Sequence, residues 1–170
     1  EQAGKVRHFG VSNQNPMMME LLKTAVKQPL KVNQLQLSAA FTPSFEAGFH
    51  VNMEGPKAAV RDGSVFEYCR LTDTVIQAWS VLQHGYFKGN FVGKEEFAAL
   101  NHVLNDLAKK YQVTPTAIAL AWVLRYPGKM QAVIGTTKPQ HVLEAGKAAE
   151  VTLTRKEWYQ IYLAAGNDLP

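Results

Sequence analysis

The chain has 170 residues, enough for one well-filled core, and its 46% hydrophobic and 19% charged residues belong to a globular protein rather than a disordered one. Its net charge of +4 comes from 18 basic and 14 acidic residues scattered without any run that resembles a nucleic-acid-binding arm. No stretch reaches the roughly 18 apolar residues of a membrane span, no hydrophobic leader opens the chain, and the single cysteine, Cys69, excludes an internal disulfide and fits a reducing, cytoplasmic setting.

Glu1 to Lys5 reads as the tail of a helix with a Gly stop, as though chain preceded it. Lys5 to Val11 (KVRHFGV) is the first predicted strand, and Gly10 inside it marks a close approach of backbone or ligand. Ser12-Asn13 forms a polar turn. Pro16 then starts a helix whose apolar face is Met17, Leu21, Leu22 and Val26; its methionines are expected in the core rather than on a binding surface. Leu30 to Leu37 is the second strand, setting Val32, Leu35 and Leu37 against Asn33, Gln34 and Gln36. That pattern fits a half-wet antiparallel sheet, or a parallel barrel strand that aims polar side chains at a site. Ser38 to Gly55 is long and irregular, and carries Phe41, Phe45, Phe49 and His50. It is either a binding loop or lid, or an insertion that packs its Phe rings on the core.

Pro56 to Arg70 is a predicted helix with Val60, Val65 and Phe66 inward, and Thr74 to Trp79 is the third strand. A glycine- and aromatic-rich loop, Gln83 to Gly93, follows. Glu95 to Lys110 is a helix with Phe97, Leu100, Val103, Leu104 and Leu107 at helical spacing. Thr114-Pro115 caps and starts another, through Arg125, apolar almost all round and therefore buried. Thr154 to Ala165 is an amphipathic helix capped by Thr154, with Glu157 three residues on.

Between these last two helices lies Gln131 to Gly146 (QAVIGTTKPQHVLEAG). An apolar strand, Ala132-Val133-Ile134, runs into a small polar turn, Gly135-Thr136-Thr137, and then Lys138 and Pro139 open a helix. A strand, a tight turn and a helix start can hold a phosphate on free N–H groups and the positive end of the helix dipole, with Lys138 and His141 as cationic donors. Taken alone, an ordinary βα connection explains it as well. Its neighbours favour a ligand. Four strands alternate with helices, which argues a parallel sheet. Ser12-Asn13, the stretch beyond Gln34, Trp79-Ser80 and Gly135-Thr136-Thr137 all follow strand ends, where parallel α/β proteins bind ligands. No Cys, His or carboxylate pair shows metal-ligand spacing, so no metal site is expected.

GKVRHFGVSN (Gly4 to Asn13), VNQLQLS (Val32 to Ser38), QAWSVL (Gln77 to Leu82), AIALAWVLRYP (Ala117 to Pro127) and VIGTTKPQHVLEA (Val133 to Ala145) together resemble the second half of an aldo-keto reductase. The resemblance implies an α/β chain of the parallel (β/α) barrel type. Residues 1–170 would be one unit without separate domains, holding barrel strands five to eight, the half that grips most of an NADPH cofactor. It implies that Ser12, Asn13 and Gln34 bind the nicotinamide carboxamide and that Trp79, usually Tyr or Phe, stacks on the ring. Ser80 and Leu82 would contact the pyrophosphate. Gly135, Thr136, Lys138, His141 and Glu144 would hold the adenosine phosphate and adenine. His141 stands where relatives often carry a longer cation, and Ala145 where many carry Asn.

The family's catalytic Asp, Tyr, Lys and His lie in the first barrel half, and no position here matches them; Tyr68, Tyr86, Tyr111, Tyr126, Lys88 and His84 occupy none of its motifs. His84, in the loop after the third strand, reads either as a residue facing the site or as a surface histidine. No catalytic residue is assigned. A full barrel takes roughly 250 residues, and four strands alone leave two open edges. The chain therefore reads as a fragment or gene half that pairs with an N-terminal half or with itself, the small carbonyl substrate belonging to the complete barrel. Three functions follow: the cofactor half of an NADPH-dependent carbonyl reductase, inactive alone; a non-enzymatic nucleotide-binding regulator; or a structural half-barrel.

Overall fold

In the computed structural model, which describes residues 3–50, 64–85 and 88–169, four strands pair in chain order into one parallel sheet. The order is β1 (Phe9–Ser12), α1 (Pro16–Ala25), β2 (Leu30–Gln36), α2 (Pro43–Phe49), α3 (Val65–Leu71) and β3 (Val75–Trp79). There follow a 3₁₀ turn (Glu95–Phe97), α4 (Ala98–Tyr111), α5 (Pro115–Leu124), β4 (Met130–Ala132), α6 (Pro139–Gly146), a second 3₁₀ turn (Lys147–Glu150) and α7 (Arg155–Ala164). The alternation expected from the sequence is present. The first part of the expected helix from Pro56, with Val60, lies outside the described residues.

Gly10 does what its place in a strand implied. A Cβ there would stand 2.7 Å from Val32 Cβ and 3.0 Å from Val32 O, so only glycine lets β1 press against β2. On β2 the expected grouping is corrected. Strand parity puts Asn33 with Leu35 and Leu37, all buried, and leaves Val32 with Gln34 and Gln36 on the other face. Asn33 is held there because its amide donates to Gln14 O (2.8 Å) and Met19 Sδ (3.4 Å). On the Gln34 face the register sets Gln34 beside Gln77 and Gln77 beside Gln131. Each side-chain amide donates to the next, Gln34 Nε2 to Gln77 Oε1 at 3.3 Å and Gln77 Nε2 to Gln131 Oε1 at 3.0 Å.

The apolar face expected of α1 is also corrected. The helix buries Pro16 and Met19, whereas Met17 and Leu21 are 72% and 63% exposed. The irregular stretch after β2 contains a short helix, α2, begun by Pro43 at a first-turn position. Phe45 on it is buried, with ring centroids 5.6 Å from Phe66 and 5.4 Å from Tyr126. Of the two readings of this stretch, the packed insertion holds for the part described. Strand β4 begins two residues before the expected apolar run, and Val133 continues the pairing by donating to Ala78 O at 2.8 Å.

The core lies between one sheet face and the helices. Leu35, Ile76 and Ala78 meet Leu100, Leu104, Ile118 and Leu120 there. Helix α5 is buried on all sides, as its composition required, and Thr114 caps it by accepting the Ala117 N–H. Helix α7 opens with the expected capping box: Thr154 Oγ1 accepts the Glu157 N–H, and the Glu157 carboxylate accepts the Thr154 N–H.

Candidate functional site

The strands all end at one edge of the sheet, and a cleft of about 680 Å³ opens there beside β3 and β4. Trp79 closes β3 and Ser80 follows in the left-handed region at φ 53°. Ser80 is locked by its neighbour: Gln83 N–H donates to Ser80 O (2.8 Å), and Ser80 Oγ donates to Gln83 Oε1 (3.2 Å). That turn swings the chain outward, so Trp79, Ser80 and Leu82 wall one side of the cleft. The β4–α6 connection supplies the other, with Gly135, Thr136, His141 and Glu144.

Helix α6 starts without a side-chain cap, so the first-turn N–H groups of Gln140 and His141 lack an intrahelical partner. Thr136 Oγ1 takes the Lys138 N–H at 3.2 Å and lies 3.3 Å from His141 Nδ1, which ties the turn to the helix start. Lys138 itself does not line the cleft. It is exposed beside it and forms no ion pair among the described residues.

Ser12, Asn13 and Gln34 lie next to the cleft rather than in its lining. They are joined to it through Trp79, whose Nε1 donates to Asn13 Oδ1 at 3.3 Å. Asn13, at φ 53°, donates its N–H to Gln34 O (2.9 Å), and Ser12 Oγ donates to the same oxygen (3.3 Å). Both residues thus ride on the end of β2.

Other lining residues carry no role in the sequence reading. Gln83 and Asn90 bridge the two ends of the loop after β3, and Thr116 and Leu120 come from α5. The glycine-rich loop was the available signal for the first pair; a helix apolar almost all round hid the second. His84 is not a surface histidine. It is partly buried, with its ring 4.9 Å from Phe97 and Nε2 3.8 Å from Glu96 Oε1, and it does not line the cleft.

Among the described residues, the titratable side chains that line the cleft are His141 and Glu144. Cys69 is buried, and burial pushes its thiol up to about 11, against a weaker downward pull from the Asn33 side chain. No group of His, Cys, Asp and Glu among the described residues is placed to hold a metal ion.

A parallel α/β sheet with a ligand-sized cleft at its carboxyl edge, walled by an indole and an uncapped helix start, is the arrangement in which parallel α/β proteins place their ligand sites. Residues 1–164 match the sequence profile of the Aldo/keto reductase family, and the chain belongs to that family of oxidoreductases, which work with nicotinamide cofactors. It is 32% identical over 169 residues to a 6-dehydroglucose reductase of Agrobacterium fabrum, covering 98% of this chain and 50% of that protein. It is 30% identical over 171 residues to the oxidoreductase YdhF of Escherichia coli, covering 99% and 51%. Among solved structures, the thermostable aldo-keto reductase Tm1743, crystallised with the inhibitor epalrestat, shares the fold at a TM-score of 0.67 and 22% identity, over 96% of this chain and 50% of that one. The chain spans about half the length of the curated relatives it matches.

Proposed function

We propose that this chain is the cofactor-binding half of an NADPH-dependent carbonyl reductase, one unit over residues 1–170 that supplies strands five to eight of a (β/α) barrel. The observation that carries the reading is that Trp79 and the uncapped start of α6 face the same cleft. An indole offers a stacking face for a nicotinamide. The free N–H groups and dipole of a helix start suit a phosphate. Ser80 and Leu82 between them suit the pyrophosphate, Glu144 the adenine, and Ser12, Asn13 and Gln34 the carboxamide.

The flanks support the half-barrel. Among the described residues β1 and β4 each pair on one side only. Beside them α1 exposes Met17 and Leu21, and α6 exposes Val142 and Leu143. An N-terminal barrel half, or a second copy, would cover both strand edges and these side chains. In this reading the proton donor and the small carbonyl substrate belong to the completed barrel, and the 170-residue chain alone does not consume NADPH with an aldehyde. No nucleic acid or membrane enters it; no helix among the described residues is long and apolar enough to cross a membrane.

Calorimetric titration of NADPH and NADH tests it. A 2′-phosphate adds roughly two negative charges, by analogy with other phosphate monoesters, and charge-assisted hydrogen bonds are about twice as strong as neutral ones. NADPH is therefore expected to bind more tightly than NADH, and Lys138→Ala to erode the difference. Equal wild-type affinities, or no binding of either nucleotide, would overturn the reading.

A further inference from the structure

A second cleft, of about 350 Å³, lies at the other edge of the sheet. Helix α3 runs into β3 and α5 into β4, so the last turns of both helices sit where the strands begin. Arg70 is in the last turn of α3 and Arg125 is the C-cap of α5; both line this cleft, as does Arg155, the first residue of α7. Phe49, Tyr126 and Tyr159 contribute aromatic wall, and no lining residue is shared with the cleft at the carboxyl edge.

The ordinary account of an arginine at a helix C-terminus is attraction to the negative end of the dipole. It covers Arg70 and Arg125. It fails for Arg155, which begins a helix, where a positive charge is disfavoured. None of these guanidinium groups forms an ion pair with a carboxylate among the described residues. Arg125 gives its Nε–H to Leu153 O at 2.9 Å, and Arg155 lies 5.7 Å from the Tyr159 ring centroid. Glu67 is the one carboxylate among the described lining residues, and its Oε2 is buried without a hydrogen-bond partner among them. The carboxylate packs against α2 at Gly48, where a Cβ would stand 2.7 Å from Glu67 Oε1. A buried acceptor without a donor is disfavoured, so Glu67 Oε2 is the point in the cleft where a ligand's donor would gain most.

We propose that this cleft binds an aromatic carboxylate that carries a hydroxyl or amino donor. The carboxylate answers the guanidinium groups, which present planar forks of donors. The ring lies against Tyr159 and Phe49, and the donor satisfies Glu67 Oε2. The volume is at the small end of the range for ligand sites and suits one ring rather than a dinucleotide.

The probe is 4-hydroxyphenylacetate, titrated into the full chain by calorimetry, with phenylacetate as the donor-free control. Saturable binding is expected, weaker by about tenfold for phenylacetate. Arg155→Met, which keeps the aliphatic stem, is expected to weaken 4-hydroxyphenylacetate about tenfold without changing the thermal melt, and Arg70→Met is the second variant if that one fails to fold. NADPH is expected not to compete. No saturable binding in the millimolar range, wild-type affinity in the arginine variants, equal affinity for the two acids, or displacement by NADPH would each overturn the proposal.

Discussion

Trp122 and Trp158 hold each other reciprocally. Their rings stack 4.8 Å apart at 8°, and each indole N–H donates to the other residue's backbone carbonyl at 3.0 Å. Helices α5 and α7 are thereby joined by dispersion and by two buried hydrogen bonds whose directions oppose, so neither ring can turn without breaking a bond of its own. Trp158→Phe keeps an aromatic ring but strands the Trp122 carbonyl. The expected loss is about 1–3 kcal/mol, against about 3–5 kcal/mol for Trp122→Ala, which also opens a cavity. Urea unfolding measures both, and a Trp158→Phe variant as stable as the parent would show that the Trp158 hydrogen bond contributes nothing.

The α7 capping box makes a second test, in acid. Burial raises the Glu157 carboxyl, but hydrogen bonds from Lys110, from the Thr154 N–H and hydroxyl, and from Tyr111 outweigh it and hold the group down to about 2, against an ordinary 4.5. The folded value lies below the unfolded one. The stabilisation is therefore complete above about pH 4.5 and is lost as pH falls towards about 2. It is on the order of 2 kcal/mol after allowance for the exposed Lys110 end. Glu157→Gln should flatten the fall in urea midpoint across that window; an unchanged acid slope would refute the assignment.

Gly10→Ala is expected to cost about 1–3 kcal/mol by overpacking, because the new methyl meets Val32 Cβ at 2.7 Å. Val32→Ala in the same chain should recover little of the loss, since alanine keeps the Cβ that the new methyl meets and Val32 O remains 3.0 Å away. Thermal melts of the single and double variants decide it, and full stability in the single variant would mean that the two strands separate freely.

Trp79 offers both a ring face and the N–H that reaches Asn13 Oδ1 at 3.3 Å. If the nicotinamide stacks there, Trp79→Phe should weaken NADPH several-fold, and Trp79→Ala about tenfold or more, because most of the contribution is ring area. Fluorescence titration follows both. Equal affinities in the two variants would remove Trp79 from the cofactor site.

Much of this fold was legible because local chemistry and final structure agree. Thr114-Pro115, Pro16 and the Thr154–Glu157 pair announced helix starts, and the structure uses all of them, adding Asn15 as the cap before Pro16. The errors came where a residue's neighbours, not its type, decide its place. Val32 is apolar yet shares a face with Gln34 and Gln36, because pleat parity overrides hydrophobicity. Helix α2 was missed because seven residues give too little period to read, although Pro43 and the Phe45–Phe49 spacing were there. At the cleft, the turn residues of β3 and β4 could be read because they follow strand ends. Thr116 and Leu120 could not, because only the packing of α5 against the sheet brings them to it.

The glutamines of β2, β3 and β4 have one more property: their row has a sense. Each amide gives its NH₂ to the carbonyl of the next, from Gln34 through Gln77 to Gln131, so the row is head-to-tail. Its last member accepts and makes no side-chain donation among the described residues. At that level the open side of β4 is chemically one-handed. A strand laid beside it can answer the undonated NH₂ of Gln131 with oxygen, from an amide carbonyl, a hydroxyl or a carboxylate. The sheet thus offers a side-chain donor as well as backbone groups to whatever extends it.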